Sequence, residues 1–320
     1  MKTGIVVLNY NDAQETINFV NEINSFKVLD YICVVDNCST DDSLKKLQKL
    51  NNIHLIALDD NKGYAAGNNA GLEYLFKQDC DNYIIANPDI IIDKRNFIDF
   101  IAYMNSDHIY SIFGPTIVEN GKINHGWKQK SIYYDIYDNY PIINRLFKNR
   151  INYRKSYYKG ALTPVDCISG CFFGFKKEVI DKIGFLDEGT FLFYEEDIFC
   201  AKAKDKGLNI CVLNDVKVIH NHSVTINKNI NHYRKLRILK NSQLYYHQIC
   251  LKHSRYKLKC LKKTGDWACN FAWLRTDKTI VNKHNRPKQK VTLLSLHLRV
   301  GGIEKAICSL ANMLVDDYDV

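Results

Sequence analysis

The sequence predicts an α/β protein in three layers, a mostly parallel central sheet flanked by helices, with a basic helical extension at its C-terminal end. Three observations carry this. Apolar runs of strand length recur at 4–10, 31–36, 53–58 and 83–85. Stretches of helical length separate them, the alternation of a parallel sheet built from βα units. The runs are apolar throughout, as strands covered on both faces must be. At 320 residues, 46% of them hydrophobic, the chain holds enough apolar material for a large core. No apolar run approaches the roughly 20 residues of a membrane span.

Gly4-Ile5-Val6-Val7-Leu8-Asn9-Tyr10 reads as a buried strand, and Asn11 or Asp12 caps a helix reaching about Ser25. Tyr31-Ile32-Cys33-Val34-Val35-Asp36 is the second strand. Ser39 with Asp42 makes a capping-box signal for a helix ending near Leu50. The third strand covers 53–58, and a helix over 64–77 precedes the strand at Tyr83. That strand stops at Asn87-Pro88-Asp89, because proline cannot donate to a ladder and biases its predecessor to an extended conformation. Asp89 therefore lies just past a carboxyl end, the edge where open α/β sheets bind ligands.

Beyond Asp93 the pattern loosens. A strand over 109–118 has a hairpin partner within 122–127, and the tyrosine-rich stretch 128–159 reads as a long, weakly periodic loop. Regular structure returns at 165–175. A short helix, a helix to Lys206 and a strand pair ending at His220-Asn221-His222-Ser223 follow. A helix over 231–253 opens the basic region, and Arg286-Pro287-Lys288-Gln289-Lys290 reads as a linker.

The net charge of +9 is a local property. Residues 1–225 carry 25 Lys/Arg against 29 Asp/Glu, residues 226–290 carry 17 against 2, and the last thirty carry 2 against 4. A block of this kind suits anionic lipid or nucleic acid; the plainer reading is lysine inflated by an AT-rich coding sequence. The eleven scattered cysteines lack a paired CxxC arrangement and read as reduced core residues of a cytoplasmic protein. The first strand begins at once, with no signal-peptide pattern before it.

Several residues could carry chemistry. The first βα turn, Leu8-Asn9-Tyr10-Asn11-Asp12, has no glycine, which excludes the G-x-G-x-x-G dinucleotide turn. Asp36 ends a strand where a carboxylate can bind a ribose hydroxyl or a base imide, or can cap a helix. Gly63, Gly67 and Gly71 stand four apart in Asn61-Lys62-Gly63-Tyr64-Ala65-Ala66-Gly67-Asn68-Asn69-Ala70-Gly71. They permit either close approach to a ligand or close packing of helix on sheet. Glu195-Glu196-Asp197 is an acid triplet whose mutual repulsion and burial suit a general base, or else a plain acidic helix start. His220 and His222, two apart on a strand, share a face and can complete a metal site with Asp89 or be structural.

In their order along the chain, Val34-Val35-Asp36-Asn37-Cys38-Ser39-Thr40-Asp41, the 61–69 segment, Asn87-Pro88-Asp89, Ile183-Gly184-Phe185-Leu186-Asp187-Glu188, Tyr194-Glu195-Glu196-Asp197 and His220-Asn221-His222-Ser223 resemble the family-2 glycosyltransferases, nearest the rhamnosyltransferase-like and capsule or O-antigen branch. The resemblance covers roughly residues 3 to 250. It implies a GT-A fold and inverting transfer from a UDP- or dTDP-sugar to a lipid-linked saccharide, at the inner face of a cell membrane, for surface polysaccharide.

By the same resemblance Asn9, Tyr10, Asp36, Asn61, Gly63, Gly67, Asn68, Asn69, Asn87 and Asp89 bind the donor. Asp89 and His220 hold Mg²⁺ or Mn²⁺. The base is Asp197, with Glu196 close behind and Glu195 in the same triplet. The implied domains are 1–225 for transfer, 226–290 for a basic extension facing an anionic membrane, and 291–320. That last stretch, from Val291-Thr292-Leu293-Leu294 through Gly301-Gly302 to Leu310-Ala311-Asn312, resembles the cut-off start of a family-4 GT-B glycosyltransferase. Competing readings are a metal-dependent nucleotidyltransferase, which would release pyrophosphate, and a basic nucleic-acid-binding protein. No nucleic-acid motif is present, and nucleic acid is not an expected partner.

Overall fold

The computed structural model describes residues 1–106, 109–140, 143–144, 151–221 and 232–276. Its strands are β1 (Thr3–Asn9), β2 (Tyr31–Asp36), β3 (His54–Ala57), β4 (Asn82–Ala86), β5 (Ile90–Ile91), β6 (Tyr110–Glu119), β7 (Lys122–Asn124), β8 (Leu162–Pro164), β9 (Phe172–Lys176) and β10 (Asn209–His220). Its helices are α1 (Ala13–Phe26), α2 (Ser43–Leu47), α3 (Tyr64–Lys77), α4 (Lys94–Asn105), α5 (Ile132–Asp138), α6 (Lys177–Ile183), α7 (Glu195–Asp205), α8 (His232–Tyr245) and α9 (Arg255–Thr276). The chain divides into two compact units, Met1–Trp273 and Leu274–Val320; of the second, only residues 274–276 are described.

The strands make one sheet in the order β3-β2-β1-β4-β9-β6-β10-β5, with β7 beside β6 and β8 beside β10. β3, β2, β1 and β4 are mutually parallel. β9 runs antiparallel between β4 and β6, and β10 runs parallel to β6. The carboxyl ends of β1, β2, β4 and β10 therefore share one edge. Alternation within the strands feeds two cores. Ile5, Val7, Val34 and Ile84 face α1 and α4 through Phe19, Ile23, Phe97 and Phe100. Val6, Val35, Tyr83 and Ile85 face α3, α6 and α7 through Leu72, Leu75, Val179 and Phe199. Period-two side chains on a fully covered sheet produce this three-layer arrangement.

Four local expectations are corrected. Ser39 caps no helix: its hydroxyl donates to Asp36 Oδ1 at 2.6 Å, and α2 is five residues long. The 128–159 stretch is no loop throughout, for Ser131 Oγ accepts from Tyr134 N at 3.2 Å and starts α5. The strand pair before His220 is one strand, β10, whose register against β6 slips between Leu213 and Lys217. The basic helix breaks at a π turn, Tyr246–Cys250, and a second helix, α9, follows. The described cysteines are all free, and no described helix is long and apolar enough to cross a membrane. The 291–320 stretch and its resemblance lie outside the described residues, as does His222.

Candidate active site

At the shared carboxyl edge a cleft of about 410 Å³ opens. The loop after β4, Asn87-Pro88-Asp89, lines it. Asn87 N donates to Cys171 O at 2.8 Å and Asn221 N donates to Asp89 O at 3.1 Å, so the start of β9 and the end of β10 clamp Asn87-Pro88-Asp89 between them. Helix α4 takes its N-cap from Asp93, which accepts from Asn96 N at 2.8 Å. Asp89 is thus left without a capping duty. Its side chain is buried, and its Oδ1 has no hydrogen-bond partner. His220 Nε2 stands 3.3 Å from Asp89 Oδ2, and His220 Nδ1 stands 3.5 Å from Glu119 Oε1. Burial pushes the imidazole down, but the two carboxylates outweigh it and raise its pKa.

Of the residues expected to bind, Tyr10, Asn61, Gly63, Asn87, Asp89, Glu195, Glu196 and His220 line the cleft. Asn9, Asp36, Gly67, Asn68, Asn69 and Asp197 do not. Asp36 lies behind the wall, 2% exposed. It accepts from Asn9 Nδ2 at 2.7 Å, from Ser39 Oγ, and from Ser39 N at 3.1 Å. Thr16 Oγ1 donates to Asn9 Oδ1 at 2.8 Å. The pair locks the ends of β1 and β2 together and leaves little of Asp36 to meet a ligand.

The glycine segment splits in the same way. Gly63 has φ +106°, where only glycine is unstrained, and Tyr64 N bonds Phe191 O at 2.9 Å beside it. A Cβ on Gly67 would lie 2.5 Å from Leu8 Cδ1, and one on Gly71 2.5 Å from Val6 Cγ1. Those two glycines set the approach of α3 to the sheet. Asn69 exchanges bonds of 2.9 Å with Leu186 N and O and donates to Glu188 at 2.8 Å, tying α3 to the loop at 184–188. Asn68 donates to Tyr64 O.

The acid triplet opens α7 and turns three ways. Phe193 and Tyr194 precede it with φ of +72° and +71°, left-handed conformations that cost non-glycine residues of order 1–3 kcal/mol each. Asp197 points away from the cleft: Lys130 Nζ is 2.6 Å from its Oδ2, and Trp127 Nε1 donates to its Oδ1 at 3.1 Å. Burial works against a charge on Lys130, but Asp197, Glu196 and Asp135 outweigh it and hold the ammonium well above its ordinary value. Glu195 is buried, with Oε1 unbonded; burial and the Glu196 charge raise its pKa to about 8. Glu196 is half-buried beside Gly170. Burial first, then the Asp197 charge, raises its pKa to about 7, with Lys130 opposing.

Sequence reasoning missed Asn37, Phe191, Phe193 and Arg234, which also line the cleft together with Tyr64 of the 63–69 segment. Asn37 donates to Asn61 Oδ1 at 3.1 Å and its own Oδ1 is unpartnered. It follows Asp36 directly in the chain. Arg234 comes from α8, and nothing local in the sequence marks it. Among the described residues no group of three or more His, Cys, Asp or Glu could hold a metal by itself. Asp89 with a bare oxygen and His220 beside it nevertheless fit a hard divalent ion that takes its remaining ligands from phosphate and water.

The description Glycosyl transferase family 2 matches residues 4–184. The chain is similar to the low-salt glycan biosynthesis hexosyltransferase Agl10 of Haloferax volcanii, 28% identical over 224 residues that span 69% of this chain and 67% of that one. It is 26% identical over 220 residues, 67% of each chain, to the dTDP-rhamnosyl transferase RfbF of Shigella flexneri. The mannosyltransferase PcManGT from Pyrobaculum calidifontis, solved with GDP-Man and Mn²⁺, matches with TM-score 0.50 at 12% identity, over 98% of this chain and 80% of that one. GalNAc-T7 with UDP, GalNAc and Mn²⁺ matches with TM-score 0.53 at 13% identity, over 91% and 59%. At such identities the structures speak for the fold alone, and that fold is GT-A.

Proposed function

Since the chain belongs to glycosyl transferase family 2, we propose that its cleft moves a hexosyl or rhamnosyl group from a UDP- or dTDP-sugar, with inversion, to a hydroxyl of a lipid-linked saccharide. The product would be a cell-surface polysaccharide or glycan, made at the inner face of the membrane. The observation that carries this reading is one cleft holding both a carboxylate oxygen without a partner, Asp89 Oδ1, and a carboxyl, Glu196, poised to titrate at about 7. One group suits the donor diphosphate and its counter-ion, the other the acceptor.

The base is Glu196. A general base works best with a pKa near the working pH, and Glu196 lines the cleft. Glu195, held up to about 8, stays protonated at neutral pH. Asp197 is engaged by Lys130 and Trp127. As the acceptor oxygen bonds to the anomeric carbon, its proton passes to Glu196; the bond from that carbon to the phosphate oxygen breaks on the opposite face, and the diphosphate leaves with the electron pair. Arg234 supplies positive charge within the cleft. Asn37 Oδ1 is an acceptor for a base imide or ribose hydroxyl, the task the sequence had suggested for Asp36. Phe191 and Phe193 offer apolar faces to a sugar ring. Mg²⁺ or Mn²⁺, held by Asp89 and His220, would neutralise charge on the diphosphate when bound.

The test is thermal unfolding with a panel of UDP-, dTDP- and GDP-sugars, with and without Mn²⁺, in wild type and Asp89→Asn. One donor is expected to protect wild type in a metal-dependent way and to lose that dependence in Asp89→Asn. Turnover should release a nucleoside diphosphate. Pyrophosphate release would replace this reading with nucleotidyl transfer.

A further inference from the structure

Helix α9 presents a sharply divided surface. At 100° per residue, its exposed side chains occupy an arc of about 140°, and Leu261, Gly265 and Cys269 fill the buried side. The packing beneath is firm: a Cβ on Gly265 would lie 3.4 Å from Lys240 Cβ of α8, and Asn139 beside α5 donates to Thr264 at 2.8 Å. The exposed arc carries Arg255, Lys259, Lys262 and Lys263, with Asp266 as its one acid. Along one margin of the same arc stand Tyr256, 78% exposed, and Trp267, 42% exposed. Trp267 stacks on Phe271 at 5.3 Å and packs on Tyr140 at 4.9 Å, so its ring is held rather than loose.

Cations in a row with large aromatics at their margin are the composition of a helix lying in a bilayer interface. Tyr and Trp rings settle at headgroup level, and lysine stems lie along apolar surface while their ammonium groups reach the phosphates. The charge alone would suit any polyanion. The exposed aromatics at one margin favour a lipid surface.

We infer that the outward face of α9 docks onto an anionic bilayer through Arg255, Lys259, Lys262 and Lys263, with Tyr256 and Trp267 entering the headgroup layer. This rests on the proposed lipid-linked acceptor for its purpose, and not for its physics. α8, against which α9 packs, also brings Arg234 to the cleft, so the docked face and the site belong to adjoining elements.

Co-sedimentation of the full chain with vesicles of phosphatidylcholine alone, or with phosphatidylglycerol added, is the test. Each interfacial cation contributes about fivefold to binding, the equivalent of ~1 kcal/mol. The triple variant Lys259→Glu/Lys262→Glu/Lys263→Glu is therefore expected to lose at least about a hundredfold in affinity for the anionic vesicles. Trp267→Ala should lose less, about tenfold, and that loss should persist at high salt where the electrostatic part is screened. Lys45→Glu/Lys49→Glu, on exposed positions in and after α2, should bind as wild type. Equal binding to neutral and anionic vesicles, an unchanged triple variant, or tighter binding to an oligonucleotide than to the anionic vesicles would overturn the inference. Transfer to a short water-soluble acceptor, measured without vesicles, should be unchanged in the triple variant. Absence of that transfer in wild type would count against the proposed reaction and leave the docking result standing.

Discussion

Glu196→Gln and Asp197→Asn should separate turnover from stability in opposite directions. Removing a general base costs about 10²–10⁴ in kcat, or ~3–5 kcal/mol of barrier, and Glu196→Gln is expected to show that loss. Its folded state should gain. A carboxyl moved from 4.5 to about 7 is held ionised at a cost of about 3 kcal/mol, at 1.36 kcal/mol per pH unit. Because the folded pKa is the higher one, the cost is absent below about 4.5, where both states are protonated, and complete above about 7. Glu196→Gln should thus melt higher than wild type at alkaline pH and equally at acid pH.

Asp197→Asn does the reverse. It strands Lys130, whose side chain is 16% exposed, and breaking a buried pair from one side costs ~3–5 kcal/mol. At 2–4 °C per kcal/mol the melting point should fall by roughly 10 °C. Below that temperature kcat should hold to within about tenfold. The Asp197 charge raises the Glu196 pKa and Lys130 lowers it, so the rising limb of the activity profile should move to lower pH in Asp197→Asn. Initial rates of nucleoside diphosphate release from about pH 5 to about pH 9, with melts across the same range, read all of this. Near-wild-type turnover in Glu196→Gln, together with a dead but folded Asp197→Asn, would refute the assignment and return the base to Asp197.

Two further substitutions probe the scaffold. Gly71→Ala puts a methyl 2.5 Å from Val6 Cγ1 and 3.2 Å from Val35 Cγ2, both stiff β-branched neighbours. Overpacking of ~1–3 kcal/mol should outweigh the gain of about 1 kcal/mol in helix propensity; chemical denaturation should show a lower midpoint, with donor affinity kept. His247→Ala removes the imidazole 2.7 Å from buried Asp135. It should cost ~2–4 kcal/mol and lower kcat well below the melting temperature, measured as a loss in turnover with little change in donor Kd.

Much that depended on local pattern was legible in the sequence, the Ser39 capping signal being an exception. β1, β2, α3 and the stop at Pro88 follow from apolar runs and a residue without an N–H, and the helix over 64–77 matches α3 end to end. β9 could not be foreseen as an antiparallel strand inserted between β4 and β6, because strand order is a long-range property. Within the site, Asp36 and Glu196 show the same limit. Asp36 ends a strand as expected, yet Asn9 and Ser39, 27 and 3 residues away, occupy its oxygens. Choosing among Glu195, Glu196 and Asp197 required knowing where Lys130 and Trp127 sit, since three successive residues at a helix start point in directions about 100° apart.

Many of the residues that hold the acid corner come from the basic C-terminal region. Left-handed Phe193 and Tyr194 place strain directly before α7, and such strain persists only where the surroundings over-determine it. The surroundings here belong largely to the C-terminal helices. Tyr194 Oη donates to Asp135 at 2.7 Å, and His247 of the π turn meets the other oxygen of the same carboxylate. Ser242 of α8 donates to Leu192 O at 2.8 Å, and Tyr245 donates to Asp187 at 2.8 Å. Tyr194 and Ile198 form a small core of their own with Tyr246. The family match ends at residue 184, before all of these except Asp135. In this chain the segment that carries the basic charge also fixes the backbone from which Glu196 projects, so the element proposed to dock and the element that orients the proposed base are joined in one piece.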